Sequence, residues 1–104
     1  MERINTSGRN SIEIVGTIRG IDDVARIKEA IDAFRLEEGE NLNISIKDSF
    51  SMPSALIGYL LQLVEQQKIQ LSLTVDDEML AELLEDLNLK KVFNLHCKTE
   101  PLPA

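Results

Sequence analysis

Ser54 is the residue of this chain whose position best suits chemistry on a side chain. It follows Pro53 and opens the longest apolar helix pattern, Ser54-Ala55-Leu56-Ile57-Gly58-Tyr59-Leu60-Leu61. Proline lacks a backbone N–H and has its φ preset near the helical value, so it suits a first helical turn, where amide donors lack intrahelical partners anyway. Ser51 or Met52 would then be the cap. The Ser54 hydroxyl falls within that first turn, where free amides and the positive end of the helix dipole favour a negative group such as a phosphate.

No other set of residues competes for chemistry. His96 is the sole histidine and adjoins Cys97, yet no second histidine is present to complete a metal site, and neighbours on a strand point to opposite faces. Asp76-Asp77-Glu78 suits helix capping and complements the dipole better than it serves as an acid/base pair. The five glycines are scattered, so no Gly-rich phosphate loop forms. The residues therefore point to a protein that is not an enzyme, with no cofactor and no metal.

The elements that must position Ser54 are few. A chain of 104 residues with 43% hydrophobic content makes a single domain, expected over 1–97, with a mobile tail at 98–104 carrying Pro101 and Pro103. One cysteine allows no internal disulfide, no apolar run approaches the ~20 residues of a membrane span, and Met1 to Asn10 lacks a secretory pattern. The expectation is a cytoplasmic protein without direct membrane insertion. A net charge of −7 argues against nucleic acid or anionic lipid as a partner. Acidic residues gather around two helices, and Leu71 to Asn88 contains neither lysine nor arginine; solvated helix faces are the favoured reading of both clusters, with a dedicated electrostatic docking surface as the alternative.

Arg3 to Thr6 and Ser11 to Ile18 read as a hairpin around the turn-forming Ser7-Gly8-Arg9-Asn10, with Gly20 breaking the second strand. Asp22 or Asp23 would cap a first helix whose apolar face is Val24, Ile27, Ile31 and Phe34, and which stops by Gly39. Leu42 to Lys47 alternates with period two, giving a strand with one wet face. The second helix runs from Pro53 to about Gln67. Its stripe of Ile57, Leu60, Leu61 and Val64 is assigned to the core, leaving Leu56, Tyr59 and Leu63 for a partner. Ile69 to Thr74 is another strand. A third helix starts near Asp76 or Asp77 with Leu80, Leu83, Leu84 and Leu87 as its buried face and Asn88 closing it, and Val92 to Leu95 is the last strand. The order β-β-α-β-α-β-α-β implies parallel crossovers after an antiparallel pair, hence an α/β fold with a mixed sheet of four to five strands and the helices largely on one face.

Pro53-Ser54-Ala55-Leu56-Ile57-Gly58, between a strand and the next helix, resembles the Asp-Ser-Ser/Thr-Gly-Leu-Gly signature of the STAS domain, the family of bacterial anti-sigma factor antagonists also found on the cytoplasmic side of sulfate transporters. The similarity continues through Tyr59-Leu60-Leu61 and Ile69 to Thr74. It reappears in Leu83-Leu84-Glu85-Asp86-Leu87-Asn88-Leu89-Lys90-Lys91-Val92-Phe93, which looks like the family's Leu-Leu-x-x-x-Gly-Leu-x-x-Leu-Phe ending, although the usual last helix is missing or reduced to the tail. The motif is degenerate: Pro53 stands for the aspartate, Ala55 for the second hydroxyl and Leu56 for the first glycine. A register matching Asp48-Ser49 to the aspartate-serine pair would bury Pro53 inside the helix and leave Gly58 without a counterpart.

The resemblance implies a signal-transduction module that acts by protein–protein interaction. A serine kinase or anti-sigma-like factor, or another signalling protein, would bind at Met52, Pro53, Ser54, Ala55, Leu56, Gly58 and Tyr59, and phosphorylation of Ser54 would switch binding off by adding roughly −1.5 to −2 charge. The alternative is a permanent STAS-like subunit of a membrane transport complex, for example on the ATPase of a lipid transporter. Homodimer formation is compatible with either.

Overall fold

The computed structural model describes residues 1–6 and 10–97. The expected turn at 7–10 therefore lies mostly, and the expected mobile tail wholly, outside the described residues. Among these residues the chain forms β1 (Arg3–Thr6), β2 (Ser11–Val15), α1 (Ile21–Asp32), β3 (Asn41–Lys47), α2 (Ser54–Glu65), β4 (Gln70–Val75), α3 (Glu78–Asp86) and β5 (Leu95–Cys97). The sheet is mixed and five-stranded, in the order β1-β2-β3-β4-β5. β1 runs antiparallel to β2, whereas the β2–β3, β3–β4 and β4–β5 pairs are parallel.

That order never reverses. Right-handed crossovers that always step the same way across a sheet deposit every helix on the same face. Ile12, Ile14, Leu42, Ile44, Ile46, Leu71, Leu73 and Val75 accordingly form one core with residues of all three helices. The period-two partners Glu13, Ser45, Lys47, Ser72 and Thr74 stay half-exposed on the opposite face, with Asn43 exposed there. On that face Lys47 Nζ pairs with Glu13 Oε2 at 2.8 Å, which holds the Glu13 carboxyl below the usual glutamate range.

Several boundaries differ from the sequence expectation. Gly16, rather than Gly20, ends β2. Its φ is +96°, and a Cβ there would lie 2.6 Å from the Glu2 backbone nitrogen, so only glycine lets β1 enter this close. α1 is capped by Gly20 with no side-chain bond; Asp22 and Asp23 fall inside its first turn, and the Asp23 carboxylate instead accepts the Arg19 N–H that precedes the helix. The last strand begins at Leu95 and not Val92, because a turn through 90–94 drives Phe93 fully into the core.

The core face of α2 is also turned from the expected one. Leu60 is buried as expected, but Leu56 and Leu63 are buried with it, while Ile57, Leu61 and Val64 are half-buried flanks. Ser54, Gly58, Gln62 and Glu65 recur at helical spacing along the exposed side, and at 100° per residue the stripe directly opposite them is Leu56, Leu60 and Leu63. In α3, Leu80 and Leu84 are buried as expected, whereas Leu83 and Leu87 lie open. Asp77 caps α3 by accepting the Leu80 N–H at 3.0 Å, and Asn88 ends it with φ +62°.

Candidate functional site

Because β2, β3 and β4 are parallel, the loops leaving their C-terminal ends meet at one edge of the molecule and lead into α1, α2 and α3 in turn. The middle loop, residues 48–53, is stitched to both neighbours. The Asp48 N–H donates to the Asp76 carboxylate at 3.1 and 3.3 Å on the β4 side. On the β2 side the buried Ser49 hydroxyl accepts the Ile18 N–H at 3.2 Å and donates to the Ser51 carbonyl at 2.9 Å. Met52 then drops into the core. Between these anchors Phe50 stands 61% exposed.

Pro53 is the cap residue of α2, with φ −58° and ψ 146°, and its carbonyl accepts the Leu56 and Ile57 N–H groups at 3.0 and 3.1 Å. The helix thus begins one residue later than Pro53 itself, neither Ser51 nor Met52 caps it, and Ser54 is its first residue. Ser54 is exposed, with Ala55 and Gly58 exposed beside it. α2 carries no acidic residue in its first turn and no side-chain cap, whereas α1 starts with Asp22 and Asp23 and α3 with Asp77 and Glu78. The positive end of its dipole is left uncomplemented.

Next to Ser54 in sequence, Ala55 lines a shallow groove of about 340 Å³ along α1, with Ile21 and Ala25 as further apolar walls and Lys28 and Asp32 farther along. Ile21 is 84% exposed at its mouth. Tyr59 packs against this groove: its phenol donates to Asp32 Oδ1 at 2.7 Å, and Lys28 Nζ lies 5.3 Å from the ring centroid. Burial, reinforced by the acceptor carboxylate, pushes the phenol pKa up, so the hydroxyl remains a donor.

The seven residues expected to form the partner surface divide accordingly. Ser54, Ala55 and Gly58 are exposed, and Pro53 and Tyr59 are half-buried, with Tyr59 engaged across the α1–α2 groove. Met52 and Leu56 cannot contact a partner, being 5% and 1% exposed within the core; this corrects the free stripe of Leu56, Tyr59 and Leu63. Phe50 and Ile21 were missed. Phe50 had a signal: a large aromatic between Ser49 and Ser51 belongs to neither the strand period nor the helix period.

His96 is exposed and pairs in register with Thr74, on the face of the sheet that bears no helix, while Cys97 is half-buried against the helices. The pair thus points to opposite sides. No helix among the described residues is long and apolar enough to cross a membrane. In comparisons with family models, curated proteins and solved structures, none matches this chain.

Proposed function

We propose that this chain is a STAS-like, non-enzymatic interaction module of the cytoplasm that binds a protein partner at the Ser54 end of α2, with phosphorylation of Ser54 as the switch. The observation that carries the proposal is the exposed Ser54 at the first position of a helix with no side-chain cap, four residues after the exposed Phe50 and next in sequence to Ala55, which lines the α1–α2 groove together with Ile21. An apolar contact can form around that point, and a phosphate placed there would be held by the helix end while disrupting the contact. The strand order supports the same reading. An open α/β sheet usually binds nucleotides or substrates where its strand order reverses, and among the described residues this sheet has no reversal. A serine kinase of the anti-sigma type is the partner class that the sequence resemblance brings.

The second reading, a permanent STAS-like subunit of a membrane transport complex such as a lipid transporter ATPase, is favoured by the half-buried row of Ile57, Leu61 and Val64, which a fixed neighbour could finish covering. Mass spectrometry of what copurifies with the untagged chain from its native cells separates the two. A kinase-like ATPase domain, bound reversibly and sensitive to ATP, supports regulation. A transporter subunit in fixed stoichiometry supports the second reading.

A further inference from the structure

The outer face of α3 carries two parallel rows at four-residue steps. Met79, Leu83 and Leu87 form an apolar row, respectively 71%, 40% and 48% exposed. Glu78, Glu82 and Asp86, each one residue earlier, form an exposed acidic row alongside. Four-residue steps in an α-helix advance about 6 Å each and drift slowly around the axis, so both rows run nearly straight for about 12 Å. α3 packs on β4 and β5, and β5 is the outermost strand of the described sheet and three residues long.

Among the described residues the acidic row forms no ion pair: Glu78, Glu82 and Asp86 have none. The described ion pairs of this region consist of Glu85 with Lys90 at 3.2 Å, and the segment Leu71 to Asn88 contains no lysine or arginine. We propose that this face docks an amphipathic helix of a partner protein, in which an apolar row is bordered by a row of lysine or arginine. A facing helix offers rows of the same four-residue spacing, which pack into the gaps between Met79, Leu83 and Leu87. A second copy of this chain fits poorly, because it brings three more carboxylates and no cation to the contact. Anionic membrane surfaces are repelled for the same reason. The surface is separate from the Ser54 site and does not depend on it.

The test uses the full chain and two synthetic helical peptides with leucine at i, i+4 and i+8, one with lysine and the other with glutamate in the adjoining row. Fluorescence anisotropy should show binding of the lysine peptide that weakens as salt rises, and no binding of the glutamate peptide. Amide shift changes should centre on residues 78–87. Met79→Lys and Glu82→Lys, checked for unchanged thermal unfolding, should each weaken binding by about fivefold or more, while Ser54→Glu leaves it unchanged. Equal binding of the two peptides, shift changes away from α3, or insensitivity to both α3 variants would overturn the proposal. So would a chain dimer that Met79→Lys dissociates, or tighter binding to vesicles of anionic lipid than to the lysine peptide.

Discussion

The Ser49 hydroxyl accepts the backbone N–H of Ile18 at 3.2 Å, and both residues are buried, at 1% exposure each. One side chain thereby ties the loop entering α2 to the loop entering α1. Ser49→Ala leaves the Ile18 donor inside the protein without its acceptor, at a cost of about 1–3 kcal/mol. Urea unfolding should show a lower midpoint with an unchanged slope, whereas Ser54→Ala, at an exposed hydroxyl, should shift the midpoint little.

Gly16→Ala should destabilise by about 1–3 kcal/mol, since φ +96° is disfavoured for alanine and its Cβ would press on the Glu2 backbone nitrogen. Gly58→Ala is the control. Nothing lies within 4 Å of a Cβ there, and alanine in a helix interior adds stability of roughly 0.5–1 kcal/mol. Thermal unfolding of the two variants should move in opposite directions.

Tyr59 links pH to stability. Its pKa is raised in the folded protein, so its contribution is fully present below the ordinary tyrosine value of about 10 and is lost as pH rises beyond it. Unfolding midpoints measured at successive pH values above about 10 should fall more steeply for the natural protein than for Tyr59→Phe. Parallel curves would show that the contact with Asp32 carries no protonation-linked stability.

Phe50→Ala should leave stability within about 0.5 kcal/mol, because the ring is 61% exposed and buries little on folding. The same substitution should weaken binding of the copurified partner, measured by calorimetric titration. Unchanged affinity would remove Phe50 from the contact.

β3 and β4 were readable because Leu42, Ile44 and Ile46, and likewise Leu71 and Leu73, alternate with polar residues, which is how a sheet with one open face is written. Their parallel pairing follows from the intervening helix. α2 was harder, since two stripes offset by one residue, Leu56-Leu60-Leu63 and Ile57-Leu61-Val64, are equally apolar; only the small and polar residues Ser54, Gly58, Gln62 and Glu65 distinguish them. In α3 periodicity misled for another reason. Leu83 and Leu87 continue the apolar side of the helix, yet they are 40% and 48% exposed, and which part of an apolar stripe the fold covers is a tertiary fact that no local pattern contains. Ser54 was placed correctly in the first turn because Pro53 restricts where α2 can start, while the burial of Leu56 depended on the face assignment that α2 obscured and that of Met52 on the path of the preceding loop, which has no period to read.

Titration of the copurified partner with Ser54→Glu, Ser54→Ala and the natural protein tests the binding surface most directly. Ser54→Glu should fold normally, its charge being compatible with the start of α2, yet bind at least about tenfold more weakly, because an unpaired charge stranded in an apolar contact costs several kcal/mol. Ser54→Ala should bind nearly as tightly as the natural protein. Equal affinity for Ser54→Glu and the natural protein would contradict Ser54 as the switch, and with it the placement of the partner at this end of α2.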